Sequence, residues 1–543
     1  VKRLVIIGGG ISGLAAARTA CEAADRVPGG LEVLVLEREA EVGGKAISVR
    51  SGDWLVETGP TGYLDNEPAF DELIRGIGLE KLPAREAAAH RFLVRGGRMR
   101  EIQPHPVKFL RSGILGPAGI LRMLAEPWVP RRNDGDDETI WRFAERRLGR
   151  QAADRMIAPM VLGVFAGDAR RLSLPACFPR MAQLERDHGS LIRAMIALRK
   201  ERKRSGKASG GPAGPAGRLT SFREGMQALP IRLAERSGAT IRRNATVEAI
   251  LRNPYGENRA QHVGEHHGNA GGARDTGSRI AASAEPSVPL PSPDEPDHRM
   301  HEADSIDNGT HAAGDAGHGG RIPGEAGYRV YVHGDAEPIP ADAVLLATES
   351  WAAGSMIETI APELSRLLLE IPYPPVAVIA CGFGPGALDK VPRGFGVLIP
   401  RGESYRMLGC LWDTHLFPGR GPENHLLLRV MLGGAVDTAI GALSESELLR
   451  MTREELRRLF GIEETPIFEK IVVWPRAIPQ YELGHLRRVA AIDRELDRLP
   501  GLYLAGNALR GISFSRSAVT GIEQGHRAVG WLSGTPRPTP AIR

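Results

Sequence analysis

Gly8, Gly10 and Gly13 stand at a spacing that lets a chain turn tightly, bring its backbone against a pyrophosphate and pack a following helix onto a preceding strand. The apolar run Leu4-Val5-Ile6-Ile7 supplies the strand, and Gly9 completes the turn. Ile11-Ser12-Gly13-Leu14 with Ala15, Ala16 and Ala17 opens a helix, whose free N–H groups would face the anion. A second apolar run, Glu32-Val33-Leu34-Val35-Leu36, ends at Glu37, where a carboxylate can accept hydrogen bonds from a ribose. Strand, glycine turn, helix and terminal acid together point to a bound dinucleotide.

FAD and NAD both satisfy these residues. Two later turns separate them: Glu41-Val42-Gly43-Gly44-Lys45 and Glu57-Thr58-Gly59-Pro60-Thr61-Gly62. Both would let backbone approach a cofactor extending beyond its pyrophosphate, as FAD does; the alternative for each is an ordinary surface turn.

The elements that must position these residues are spread along 543 residues, enough for more than one domain and a large core. Hydrophobic residues at 42% and charged residues at 25% fit a globular chain and exclude wholesale disorder. A net charge of +5 is diffuse: it suits acidic ligands or an anionic membrane surface and does not argue for nucleic acid. Cys21, Cys177, Cys381 and Cys410 are far apart with no CxxC pair, so neither a zinc site nor a disulfide framework is expected, and a reducing compartment fits. No apolar run reaches the roughly 20 residues a spanning helix needs. No secretory leader precedes the first strand in this sequence, so a cytoplasmic location is expected.

Along the chain, residues 70–76 have the spacing of a short helix, and 90–99 read as a hairpin with a Gly-Gly turn. Residues 104–132 alternate apolar groups such as Ile114, Leu121, Leu124 and Trp128 with Lys108, Arg111, Arg122, Arg131 and Arg132. That pattern suits either a membrane interface or a helical substrate domain packing on itself. Helices are expected over 140–148, 152–162 and 176–200, then a Lys/Arg-rich and Gly/Pro-rich linker over 201–218. Residues 253–327 are dense in Gly, Ala, Asp, Pro and His and read as a disordered insertion, its irregularly spaced histidines as adventitious rather than metal ligands. Strands at 376–383, 397–399, 407–412 and 426–431 predict a mixed sheet in a second domain. A helix follows over 444–460, and the chain closes with a strand entering Gly506-Asn507 and a helix over 517–531.

The glycine motif, the Glu41–Lys45 and Glu57–Gly62 turns and the closing Tyr503-Leu504-Ala505-Gly506-Asn507-Ala508-Leu509-Arg510-Gly511-Ile512-Ser513-Phe514 resemble the FAD-dependent amine oxidase superfamily. Arg91-Phe92-Leu93-Val94, Gly163-Val164-Phe165-Ala166-Gly167-Asp168, Gly394-Phe395-Gly396-Val397-Leu398-Ile399-Pro400 and Trp474-Pro475-Arg476-Ala477-Ile478-Pro479-Gln480-Tyr481 are similar to its protoporphyrinogen- and coproporphyrinogen-oxidising members. The resemblance implies an α/β fold: a discontinuous Rossmann-like FAD domain over 1–88, 219–252, 328–350 and 481–543. It further implies a helical, membrane-associating and substrate subdomain over 89–205 and a mixed-sheet substrate domain over 351–480.

One non-covalent FAD would lie against Gly8, Gly9, Gly10, Ile11, Ser12, Gly13, Glu37, Arg38, Lys45, Gly59, Pro60, Thr61, Gly62, Val247, Asn507, Ile512, Ser513 and Phe514. A porphyrinogen would lie against Phe395, Leu398, Leu411, Met431 and Gly167, with Arg91 pairing a propionate. The implied reaction removes six electrons in three steps to dioxygen, giving hydrogen peroxide, with flavin N5 rather than a side chain carrying the chemistry and aromatisation driving it. No metal is implied. Partners would be the porphyrinogen, dioxygen, the inner face of the cell membrane, a second copy and a chelatase. Ser515-Arg516-Ser517 departs from many members, which carry an acid or glycine followed by cysteine there. A flavin amine oxidase or desaturase is the rival reading, weakened because no cysteine follows Cys410 and only Phe514 supplies an aromatic near the closing turn. A non-catalytic flavin-binding partner protein is the other.

Overall fold

A computed structural model describes residues 1–103, 106–132, 135–205, 217–253 and 327–534. The body of the expected insertion, with its histidines, and most of the expected linker lie outside the described residues.

The first apolar run forms strand Lys2–Ile7, the second Leu31–Leu36, and both are buried inside a five-stranded sheet. Across it the strands run Thr240–Arg242, Leu31–Leu36, Lys2–Ile7, Ala343–Leu346 and Leu502–Leu504, all parallel. Parallel strands covered on both faces need continuous apolar runs, and Leu4, Val5, Ile6, Val344, Leu345 and Leu346 are fully buried. One sheet therefore gathers strands from both ends and the middle of the chain. Its neighbour is an antiparallel sheet of Val247–Arg252, Tyr328–Val332 and Ile339–Ala341.

Helix Ile11–Glu22 is buried along most of its length between this sheet and helix Phe514–Leu532. Their backbones touch: a Cβ on Gly521 would fall 2.1 Å from the Ser12 carbonyl oxygen, and one on Gly525 2.8 Å from that of Ala16.

The expected mixed sheet is larger than the four strands read from sequence. Seven strands lie in the order Phe468–Trp474, Val376–Phe383, Leu426–Gly433, Met407–Trp412, Gly396–Leu398, Arg91–Arg95, Arg98–Glu101. All neighbours are antiparallel except Gly396–Leu398 and Arg91–Arg95. The hairpin over 90–99 thus joins this sheet. One face buries Ile379, Cys381, Val397, Cys410, Leu428 and Val430 with Leu448 and Leu456 of helix Glu445–Phe460, which a Ser444/Glu447 capping box begins.

The helix expected over 176–200 is three: Leu174–Cys177, Pro179–His188 and Leu191–Ser205. Pro179 restarts the chain, and Gly189, at φ +66°, ends the second helix in the left-handed conformation. The third continues five residues into the expected linker, through Ser205.

Candidate functional site

Gly8 takes φ +108° in the turn after the first strand, a conformation that side chains rarely adopt. A Cβ on Gly13 would lie 2.0 Å from the Gly8 carbonyl oxygen, whereas one on Gly10 would meet nothing within 4 Å. Gly13 is thus required by the strand–helix contact, and Gly10 borders open space at the helix start. No side chain caps that helix. Glu37, nearly fully buried, accepts the Gly9 N–H at 2.6 Å and the Glu39 N–H at 2.9 Å, which fixes its carboxylate beside the glycine turn. An uncapped helix start, an open glycine edge and a fixed acid fit a dinucleotide with its phosphates at the helix and its ribose at Glu37.

Lys45 pairs with Glu349 at 2.8 Å and donates to the Ala477 carbonyl at 2.8 Å. Burial would raise the Glu349 carboxyl, but Lys45, with help from a backbone N–H and Arg38, outweighs it and holds the group below its ordinary value. Arg38 is exposed and pairs with Glu39 at 2.8 Å. Gly59 and Gly62 are explained by the protein's own packing: their Cβ atoms would stand 1.9 Å from the Lys45 carbonyl oxygen and 2.6 Å from that of Thr220. Val247 opens the antiparallel strand at a register shift. In the closing turn the Asn507 carbonyl accepts the Tyr481 hydroxyl, Ser513 caps the last helix through the Arg516 N–H at 3.1 Å, and Phe514 meets the Phe70 ring edge-on at 6.0 Å. Ile512 instead packs against the helical cluster around Phe165 and Leu172.

The other expected residues gather on the seven-stranded sheet. Its second face follows from strand alternation. One row across it is Arg91, Gly396, Leu411, Arg429, Ala380; the next is Leu93, Leu398, Gly409, Met431, Val378. Leu398, Leu411 and Met431 therefore share a face, with Arg91 at one end. The Arg91 guanidinium lies 5.0 Å over the Phe395 ring. Helix Ala158–Phe165 approaches this face: Leu162 and Ala166 pack with Met431, and a Cβ on Gly163 would be 2.4 Å from Leu398 Cδ2. Gly167 sits just beyond the helix, where the space of a Cβ is taken by Gln480 and Leu172.

Several residues that hold these parts together carry no assignment from sequence. Buried Arg429 links its strand to the Glu57–Thr61 turn and to Asp413, and Trp474 donates its indole N–H to the Thr58 carbonyl at 2.8 Å. Gln480 donates to the Phe165 carbonyl at 2.9 Å. His485 stacks on Tyr481 with ring centroids 4.0 Å apart, bonds the Leu509 carbonyl at 2.9 Å, and is pushed by burial down to about 4, so the ring stays neutral. Each is an ordinary residue type, and apart from the His485–Tyr481 stack the sequence between partners gives no local sign of the contact. Among the described residues no cluster of side chains could hold a metal ion.

A model of the flavin containing amine oxidoreductase family matches residues 11–271 and 321–530. The coproporphyrinogen III oxidase of Bacillus subtilis (strain 168) is 25% identical over 541 residues, 97% of each chain. The chloroplastic protoporphyrinogen oxidase of Oryza sativa subsp. japonica is 25% identical over 528 residues, 94% of this chain and 85% of that one. Among solved structures, one from Exiguobacterium sp. 255-15 shares the fold with a TM-score of 0.71 at 21% identity, over 97% of this chain and 98% of that one.

Proposed function

Because the chain belongs to the flavin-containing amine oxidoreductase family, we propose that it is an FAD-dependent oxidase whose substrate is a porphyrinogen, acting in heme biosynthesis. The observation that carries the substrate reading is the sheet face shared by Leu398, Leu411 and Met431 on two adjacent rows, a cation at its edge and the Glu57–Thr61 turn against its middle. A porphyrinogen is a broad apolar ring with carboxylate arms, and it asks for that combination.

When bound, FAD takes electrons from the substrate two at a time and passes them to dioxygen, with hydrogen peroxide as the expected product. The chain's own part is positioning. Leu398, Leu411 and Met431 form an apolar floor that excludes water beneath the ring, and Arg91 orients one propionate at the rim. Phe395 stiffens Arg91 through the cation–π contact. At the cofactor, Gly8 to Gly13 take the phosphates, Glu37 the ribose, and Lys45, Thr61, Asn507 and Phe514 surround the remainder. Anaerobic mixing with coproporphyrinogen III, protoporphyrinogen IX and a panel of amines tests this: a porphyrinogen should bleach the flavin absorbance and the amines should not. Bleaching by amines alone would overturn the proposal.

Arg91→Ala is expected to raise KM for the porphyrinogen by about tenfold with kcat little changed, the loss of one charge-assisted contact at an exposed site. Steady-state kinetics with both porphyrinogens check it. An unchanged KM would remove Arg91 from the substrate rim.

We also propose peripheral membrane contact through the 106–132 segment. It divides its apolar residues: Ile114 and Leu115 are buried in the protein, while Leu121 on helix Pro117–Leu124 and the following Trp128 are 70% and 79% exposed. Leu124 shares the exposed side of that helix. No helix of the described residues is long and apolar enough to cross a membrane. Replacing Leu121, Leu124 and Trp128 together with serine is expected to lower co-sedimentation with phosphatidylglycerol vesicles by about tenfold or more, at about 25 cal/mol per Å² of apolar surface withheld from the bilayer. Equal binding by the triple variant would exclude this face. A second copy and a chelatase receiving the porphyrin complete the proposed partners, to be read by sizing with and without the chelatase.

A further inference from the structure

Arg429 lies on the same sheet face as Met431 and stands in register between Leu411 and Ala380, yet its guanidinium leaves the sheet. It is buried, with 2% of its side chain exposed. One terminal nitrogen donates to the Glu57 carbonyl at 2.6 Å and the Gly59 carbonyl at 3.2 Å; the other donates to Thr61 Oγ1 and to Asp413 Oδ1, the latter at 3.1 Å. Nε pairs with Asp413 Oδ2 at 3.0 Å. Both terminal nitrogens are therefore used as donors, Nε lies within ion-pair distance without donating, and Asp413 balances the charge. Three of the acceptors belong to the Glu57–Thr61 turn, on the cofactor side. A second arginine, Arg420, approaches Glu57 at 3.5 Å while bonding Ser221 Oγ at 2.8 Å, so the start of the turn is held from behind as well.

We propose that Arg429 is a positioning residue that fixes the flavin-side turn to the substrate floor, so that its fork, seated in the middle of the sheet, sets the spacing between cofactor and substrate. The residues on either side explain the need for it. Leu411 and Met431 can present an apolar ring only at a height set by the sheet, and Gly59, Pro60 and Thr61 can border the flavin only where the turn rests. The fork is the charged connection between the two, beside the Trp474 indole that donates to the Thr58 carbonyl from the sheet's edge strand. Lysine cannot replace it, since one ammonium cannot chelate Asp413 and span three acceptors of the turn at the same time. The inference about flavin rests on the family's cofactor; only its substrate arm rests on the porphyrinogen reading.

Arg429→Lys and Thr61→Val test it, the second removing one acceptor and leaving the Arg429–Asp413 pair in place. FAD dissociation constants are measured by titrating apoprotein without substrate, flavin reduction per bound flavin is measured anaerobically with a porphyrinogen, and melting temperatures are recorded for all forms. Arg429→Lys is expected to weaken FAD binding about tenfold or more and to slow flavin reduction about tenfold, with the half-saturating porphyrinogen concentration within about threefold of the parent. Thr61→Val should weaken FAD binding by about threefold to tenfold. If both variants melt lower yet bind FAD and reduce it within about twofold of the parent, Arg429 is merely structural and the proposal falls. If Arg429→Lys does not fold, Thr61→Val decides, and an unchanged FAD constant overturns the proposal. If porphyrinogens reduce no form, parent included, while the FAD constants shift as expected, the substrate reading fails and the role of Arg429 toward flavin stands.

Discussion

Gly521→Val is expected to purify as a colourless protein, with FAD affinity lower by about a hundredfold or more, because the helix crossing it disrupts is the one that aims the N-terminus proposed to take the phosphates. An added Cβ there would stand 2.1 Å from the Ser12 carbonyl oxygen and 3.0 Å from Ser12 Cα, both backbone atoms that no rotamer change can move. Helices Ile11–Glu22 and Phe514–Leu532 would have to separate, and the first of them carries Ile11, Ser12 and Gly13. The ratio of flavin to protein absorbance on purification and titration of the apoprotein with FAD provide the measurement. Gly530→Ala is the matched control: it lies on the same helix, a Cβ there would meet nothing within 4 Å, and it should keep full FAD and gain about 0.4–1 kcal/mol of stability. Full flavin content in Gly521→Val would mean that the crossing does not support the cofactor site.

Arg147→Ala is expected to destabilise the helical region by about 3–5 kcal/mol, the cost of leaving a buried carboxylate without its partner. Arg147 and Glu126 are both fully buried and paired, and Glu126 also accepts from Ser190 Oγ at 2.5 Å and from the Leu191 and Ile192 N–H groups at 2.8 and 3.0 Å. Arg147 donates in turn to the Val129 and Gly189 carbonyls, both at 2.9 Å. One pair thus ties together the chain near Trp128 and the start of helix Leu191–Ser205. Burial would raise the Glu126 carboxyl, but the bonds from Ser190, Ile192, Leu191 and Arg147 outweigh it and hold the group below its ordinary value.

A carboxyl depressed in the folded state contributes fully above its unfolded pKa, about 4.3, and the contribution is lost as pH falls through the lower folded value. The parent should therefore lose stability below about pH 4, and Glu126→Gln should start less stable and show a shallower acid limb. Melting curves from pH 3 to 7 check both, and an unchanged slope in Glu126→Gln would exclude this carboxyl as its source. Replacing the pair with two methionines should recover only part of the loss, because the Leu191 and Ile192 N–H groups and the Gly189 carbonyl would keep no partner.

The features readable in the sequence share one property: their meaning is local. The glycine turn, the apolar strand before it and the acid ending the next strand are read within a few dozen residues, and the structure packs Gly13 against the Gly8 carbonyl and bonds Glu37 to the Gly9 N–H. The second sheet was partly legible because alternating apolar runs mark strands whatever they pair with. Its edge strand Phe468–Trp474 and its continuation into Arg91–Glu101 were not, because pairing across such separations leaves no local mark. The 106–132 segment shows the limit well. Its composition fits burial and membrane contact equally, and only packing divides Ile114 and Leu115 from Leu121 and Trp128.

By itself, then, the sequence determined that a dinucleotide would be bound and roughly where the strands of two sheets lie, since backbone conformation and apolar period are properties of short stretches. Tertiary structure alone decided that Gly521 must lack a side chain, that Arg429 grips the Glu57–Thr61 turn, and that Leu398, Leu411 and Met431 share one face. Those are facts about atoms brought together from remote parts of the chain, and a contact of that kind is set by the folded geometry of both partners at once.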